Sequence, residues 1–304
     1  MNDIAHAADV LRSGGLVAFP TETVYGLGAD AANPRALRRL FAVKERPLDH
    51  PVIVHVARAD QLDDLGRDVP EIAHALAEAC WPGPLTLVVR RRVGRVAAEA
   101  TGGRDTVGIR VPDHPVARAL LDAFGGGIAA PSANRFGRVS PTTARHVRDD
   151  LGADVDLVLD GGSCAVGVES TIVDVTNAEP VLLRVGGISE ERLAALVGAR
   201  LAHRTAGEVA APGTLASHYA PVARVELVRT AELAARAECL RAAGLAVGVL
   251  DAPEDVREYA RGLYRGLRAL DRIGVDVILA VLPADSEGIG AAVADRLRRA
   301  AAAR

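Results

Sequence analysis

The chain has 304 residues, 49% hydrophobic, 25% charged and only 3% aromatic, with a formal net charge of −3. That balance suits a soluble protein of one large or two smaller domains with a core of Ala, Val and Leu; it excludes a wholly basic nucleic-acid binder, though not a local basic groove. Cys80, Cys164 and Cys239 fit neither a zinc spacing nor a disulfide framework, and no apolar run is long enough to span a bilayer.

The N-terminal stretch reads as an amphipathic helix ending at Gly14, without the basic start and apolar core of a signal peptide, which predicts a cytoplasmic protein. From there to residue 198, short apolar runs alternate with helical patterns. Strands are expected at 16–19, 52–56, 85–90, 107–111, 128–130, 156–159, 171–175 and 181–185. Helices are expected at 3–13, 34–43, 70–79, 115–124, 142–150 and 189–197. The short polar connection between 171–175 and 181–185 marks a hairpin, so this α/β sheet is mixed rather than purely parallel. Residues 199–222 lack sustained periodicity, carry Gly207, Pro212, Gly213 and Pro221, and read as a linker. Beyond it, strands at 223–229, 246–250 and 275–282 with helices at 255–272 and 288–302 make a small α/β unit over 223–304.

One stretch stands out chemically. Lys44 is the only lysine among 36 Lys+Arg and stands beside Arg46. Lysine is a compact point charge suited to phosphate oxygens, although a stray lysine on a solvated helix end would look the same. Upstream, TETVYGLG brings Thr21, Glu22 and Thr23 to a strand end, with Gly26 and Gly28 free to turn or to approach a ligand. Ser132 and Asn134 offer small hydrogen-bonding groups in a strand-to-turn segment. Alternation in TVGIR puts Thr106, Gly108 and Arg110 on one face, where an inward arginine needs a partner. His55 ends an apolar strand, a place usually taken by a satisfied core histidine. Glu169 could be structural or stand near a metal. No Ser-His-Asp order, paired-Cys site or HExxH helix is visible.

These segments carry a resemblance. PTETVYGLG (20–28), KERP (44–47), PVIVH (51–55), WPGPLT (81–86), TVGIRVP (106–112), APSAN (130–134), GVESTIVD (167–174) and LLRVGG (182–187) resemble the YrdC/Sua5 family of threonylcarbamoyl-AMP synthases, in the family's order. The tail, APG…HYAP followed by LYRGLRALDRIGVDVILAVLP, resembles the two-domain Sua5 type with a shortened C-terminal domain. The resemblance implies a twisted mixed-sheet catalytic domain (1–198) with a concave, positively charged cavity. It also implies a linker or lid (199–222) and a Rossmann-like C-terminal domain (223–304).

For the site, the resemblance implies Lys44 and Arg46 as catalytic cations. ATP would be held by these two with His50, Thr106, Ser132, Asn134, Ser140, Arg184 and Tyr219. Threonine would be held by Thr23, His55, Arg110, Ala130 and Ser170. The implied reaction joins L-threonine, bicarbonate or CO2 and ATP into threonylcarbamoyl-AMP and pyrophosphate. Mg2+ would arrive on the phosphates with no dedicated metal ligands. The product would pass to a tRNA threonylcarbamoyl transferase complex, with weak RNA contact as an accessory interaction and no membrane partner. Two departures stand out: His50 replaces the family's usual Asn, and Thr214 to Ser217 replace bulkier or basic linker residues. Two rival readings remain at this level: an RNA-binding protein using the basic cavity, which few aromatics disfavour, and a carbamoyl-transfer enzyme related to hydrogenase maturation proteins.

Overall fold

The computed structural model describes residues 2–203, 219–285 and 287–302. The first unit runs α1 (Asn2–Arg12), β1 (Val17–Phe19), β2 (Gly26–Asp30), α2 (Pro34–Lys44), β3 (Ile53–His55), α3 (Gln61–Leu65), α4 (Glu71–Cys80), β4 (Leu85–Arg90) and α5 (Ala98–Thr101). It continues through β5 (Thr106–Arg110), α6 (Pro115–Phe124), β6 (Ile128–Ala129), α7 (Ala144–Leu151), β7 (Leu157–Val158), β8 (Thr171–Asp174), β9 (Val181–Arg184), α8 (Glu190–Val197) and β10 (Ala202–His203). The second unit holds β11 (Arg224–Leu227), α9 (Leu233–Ala242), β12 (Val247–Val249), α10 (Val256–Arg272), β13 (Val277–Ala280) and α11 (Gly288–Ala301).

The first sheet has ten strands in the order β10-β9-β8-β4-β5-β3-β6-β2-β1-β7 and mixes parallel with antiparallel pairs. The β8–β9 hairpin is antiparallel as expected, with a register shift between Ile172 and Val173. The central strands serve two masters. Val54, Leu87, Ile109 and Val173 point into the main core with Leu37, Leu40 and Phe41 of α2 and Leu76 of α4. Their alternate neighbours Ile53, Val88 and Ile172 form a small separate cluster on the other face. At the β1 edge that face is covered instead by α1 and α6, through Leu11, Leu120 and Leu121 against Val17 and Phe19. In the middle of the sheet the cluster of Ile53, Val88 and Ile172 holds strand residues only, and the site opens beside Ile53.

The second sheet is parallel, β11-β13-β12. Val277 and Leu279 of β13 face Ala237 and Leu240 of α9. Ile278 and Ala280 face Leu263, Leu267, Val293 and Leu297 of α10 and α11. This is a small doubly wound layer arrangement, in line with the Rossmann-like expectation. The cluster under α10 also takes in Val24, Val139, Val168 and Tyr219, so it is continuous across the junction of the two units.

Several elements depart from expectation for physical reasons. The segment with Gly26 and Gly28 is strand β2 rather than a loop, and Gly26 at its start lines the cleft described below. A Cβ on Gly28 would fall 2.8 Å from Ile128 Cγ2 and 2.9 Å from Phe19 Cε1, so glycine here lets strands approach each other. Helices α3 and α5 are too short to show a period. Helix α9 buries only Ala237 and Leu240 and lacks a stripe to read. Strand β10 pairs in parallel with β9, which carries the first sheet to His203, inside the stretch read as linker. The rest of that linker, including Gly207, Pro212, Gly213, Thr214 to Ser217 and His218, lies outside the described residues; Tyr219 and Pro221 lie within them.

Candidate active site

The loop leaving β1 locks itself. The Thr21 hydroxyl donates to Val24 O (2.6 Å), accepts from the Thr23 and Val24 amides (3.2 Å each) and lies 2.7 Å from Thr23 Oγ1. This turns Thr23 toward β5, where Arg110 Nη1 donates to Thr23 Oγ1 at 3.0 Å. Arg110 also donates from Nε to Gly83 O (3.2 Å) and pairs through Nη2 with Glu22 Oε1 at 2.6 Å. Glu22 is itself held by the Asp113 amide at 3.1 Å. The inward arginine thus has the partner its burial demands, with N–H groups left for a ligand among its five donors.

Parallel register sets His55 of β3 opposite Arg110 of β5. The His55 ring meets Phe19 edge-on, with centroids 6.1 Å apart, and its Nδ1 has no hydrogen-bond partner among the described residues. Burial, then the Arg110 charge, pushes the imidazole pKa down to about 3, so it is neutral at ordinary pH. Ser170 closes this side: its hydroxyl lies 2.8 Å from Thr86 Oγ1 and accepts from Arg184 Nη2 at 3.1 Å. Thr23, His55, Arg110, Ala130 and Ser170 line one open cleft.

Arg46, Ser132, Arg184 and Tyr219 line the same cleft. The Arg46 guanidinium donates from Nη2 to Pro51 O (2.8 Å) and from Nε to His50 O (3.3 Å), and lies 5.4 Å from the Phe136 ring centroid. Burial lowers its pKa to about 10, which leaves it charged at neutral pH. Arg184, on β9, donates to Ser170 O from Nε (3.0 Å) and Nη2 (2.8 Å).

Five expected residues stand elsewhere. Lys44 is the last residue of α2, and this helix end is not solvated. It is 1% exposed, and its Nζ donates to Ser132 O and Asn134 O, both at 2.5 Å. Burial and the neighbouring Arg46 hold its pKa well below the ordinary lysine value. Asn134 turns its Nδ2 to Arg135 O and Arg138 O and braces its own loop. Ser140 donates to Glu169 Oε1 at 2.7 Å. His50 packs edge-on against Phe136, at 5.4 Å between centroids, and burial lowers its pKa. Thr106 pairs with Arg90 at the opposite end of β5 from Arg110, roughly 13 Å away along the strand.

The structure adds groups the sequence reading did not assign. Glu22 is the counter-charge of Arg110. Glu169 also lines the cleft, and it bonds to Tyr264 of α10 and Arg296 of α11. Burial alone would raise the Glu169 pKa, but Arg296 and Arg184 hold it down at about 2. Both helix residues had a sequence signal. Tyr264 follows Ala260 at helical spacing, and Arg296 interrupts an apolar stripe of Val293, Leu297 and Ala300. Among the described residues no group of three or more His, Cys, Asp or Glu side chains could hold a metal ion, and no helix is long and apolar enough to cross a membrane.

Residues 9–186 match the Sua5_yciO_yrdC family model, described as telomere recombination, and residues 188–302 match the model described as threonylcarbamoyl-AMP synthase, C-terminal domain. A threonylcarbamoyl-AMP synthase of Pyrococcus abyssi is 43% identical, the match covering 97% of this chain and 92% of that protein. One from Bacillus subtilis is 40% identical, over 99% and 93%. The crystal structure of P. abyssi Sua5 complexed with L-threonine superposes with a TM-score of 0.91 at 41% identity, over 98% of this chain and 94% of that one. Both halves of the molecule are matched, nearly end to end, and the chain belongs to the Sua5/YciO/YrdC family, in its two-domain Sua5 form.

Proposed function

We propose that this chain is an L-threonylcarbamoyladenylate synthase, joining L-threonine, bicarbonate or CO2 and ATP into threonylcarbamoyl-AMP and pyrophosphate, for formation of N6-threonylcarbamoyladenosine at position 37 of tRNA. The observation that carries the reading is the shared cleft. Residues from the loop after β1, from β3 and β5, and from the 130–132 segment on the amino-acid side meet Arg46, Arg184 and Tyr219 on the nucleotide side.

The amino-acid side offers a guanidinium, a hydroxyl and a neutral imidazole. Arg110 would take the threonine carboxylate with its remaining N–H groups, and Thr23 and His55 would orient the amino acid. The amine, combined with CO2, presents a carbamate oxygen to the α-phosphorus of ATP, and pyrophosphate leaves as that bond forms. Fixed cations stabilise the charge that builds on the leaving phosphates, a role we assign to Arg46, Arg184 and Lys44. For Lys44 the assignment requires Nζ to exchange the Ser132 and Asn134 carbonyls for phosphate oxygens. His50, Thr106, Asn134 and Ser140 are assigned to ATP on the motifs alone.

Mg2+ would come with the nucleotide and neutralise phosphate charge. Glu169, the acid lining the cleft, has both oxygens engaged by Ser140, Tyr264 and Arg296, so the phosphates would be its main ligands. The product is a mixed anhydride that water destroys, so a transferase acting on tRNA must take it up promptly. We place the reaction in the cytoplasm on that account, with any RNA contact weak.

The test is pyrophosphate release with each substrate left out in turn. Release is expected only with ATP, threonine and bicarbonate or CO2 together. Serine should be poorer, since one methyl in a pocket is worth on the order of 1 kcal/mol. Release that ignores the amino acid would make the protein a different ATPase.

A further inference from the structure

Tyr264 and Arg296 belong to the second unit and reach the cleft wall from outside the catalytic sheet. The Tyr264 hydroxyl lies 3.0 and 2.9 Å from the two Glu169 oxygens, and Arg296 Nε donates to Oε2 at 2.8 Å. Arg296 Nη2 donates to Val185 O at 3.0 Å, and Nη1 pairs with Asp295 at 2.6 Å. The same two side chains enclose Tyr219. The Tyr264 ring stacks on it at 5.8 Å and 28°, and the Arg296 guanidinium lies 5.1 Å from its centroid. Tyr219 has φ 62°, an uncommon backbone conformation for a bulky side chain that persists where packing over-determines it.

Adhesion alone does not call for these groups. The junction already has a continuous apolar cluster, with Val24, Val139 and Val168 against residues of α10 and α11. Burying an arginine and a glutamate beside it is expensive and adds little to stability over a well-packed apolar contact. What the polar set adds is position. Glu169 and Tyr219 line the cleft, and Ser140 is bonded to Glu169.

Resting on the synthase reading, we propose that Tyr264 and Arg296 are positioning residues for ATP. They fix Glu169, Tyr219 and, through Glu169, Ser140, so that the second unit completes the nucleotide half of the site while the threonine half stands without it. The charged and titratable groups facing Glu169 are Arg184 from β9, Arg296 from α11, Tyr264 from α10 and Tyr219. Removing Arg296 leaves Arg184 as the nearby cation, and the Glu169 carboxyl then protonates at higher pH.

The experiment uses the full chain. KM for ATP, KM for threonine and kcat are measured by pyrophosphate release from pH 6 to 8.5, with Tm, for the parent protein, Tyr264→Phe, Arg296→Met and Arg296→Lys. Tyr264→Phe keeps the stacked ring and removes one donor to a carboxylate; it should raise KM for ATP roughly 3–10-fold with KM for threonine and Tm nearly unchanged. Arg296→Met should raise KM for ATP on the order of 10–100-fold, and more at pH 6 than at pH 8. Arg296→Lys should recover part of both effects. If Arg296→Met does not fold, Tyr264→Phe decides. Wild-type KM for ATP in Tyr264→Phe overturns the proposal, as does a joint rise in both KM values in step with a fall in Tm. A parent protein that makes no product refutes the synthase reading instead, and this inference falls with it.

Discussion

Two buried arginine–glutamate pairs serve the cleft, and they are built differently. Arg110–Glu22 is made inside the first unit, and every other bond of its two members runs to neighbouring loops and strands. Arg296–Glu169 joins residues 127 positions apart and crosses the junction between units. On the proposed assignment, the first pair preorganises the amino-acid side from within the first unit. The second would make the proposed nucleotide wall conditional on docking. The difference teaches that a single cleft can have one half fixed by sheet register and the other by domain assembly.

The self-contained pair should break with the largest effect. Arg110→Met leaves the Glu22 carboxylate buried without its cation and should destabilise the fold by about 3–5 kcal/mol, measured by denaturant unfolding. Adding Glu22→Gln should return much of that stability without restoring threonine-dependent turnover. A stable single variant would show that Glu22 has a second partner and would dissolve the contrast.

A smaller loss is expected from Lys44→Ala, on the order of a hundredfold in rate. Because Nζ ties down two carbonyls of the 132–134 segment, stability should also fall by about 1–3 kcal/mol. Loss of stability with normal turnover and ATP affinity would move Lys44 from chemistry to scaffolding.

The mildest test is titration. His55 has a depressed pKa in the folded state, about 3, against about 6.5 for the unfolded chain. Its contribution to stability is therefore complete above pH 6.5 and drains away as pH falls through that window, by up to about 1.4 kcal/mol per pH unit. His55→Gln should flatten that slope. Threonine affinity in the parent protein should stay level from pH 8 to pH 5.5, unlike the ATP affinity of Arg296→Met. An unchanged slope in His55→Gln would mean that His55 is solvated.

Much of this was legible in the sequence, for identifiable reasons. The mixed sheet could be read because strands such as VIVH and TIVD are short apolar runs between turn residues; alternation put Arg110 on one face with Thr106 and Gly108, and the family motifs made that face the inward one. The grouping of Thr23, His55, Arg110, Ala130 and Ser170 came from family motifs, and the fold gathers them in space. Other features have no local signature. Strand β2 was hidden because Gly26 and Gly28 are poor strand formers whose reason for being there, the crowding of Ile128 and Phe19, lies more than 90 residues away in Ile128's case. The burial of Lys44 had no local signature because its partners are backbone carbonyls of a distant loop. The Glu169 network needs three elements from two units, and no window of sequence contains it.

The long reach of that network has a consequence for how the protein is made. Synthesis runs from the N-terminus, and the first unit can settle once its own strands have emerged. Glu169 is then already in place on the sheet, but Arg296 and Tyr264 have yet to be translated. A nascent or prematurely stopped chain would have its threonine subsite and no finished nucleotide wall. On the proposed roles, ATP would thus bind at full strength only when α11 has docked, and the unfinished protein would turn over little at limiting ATP.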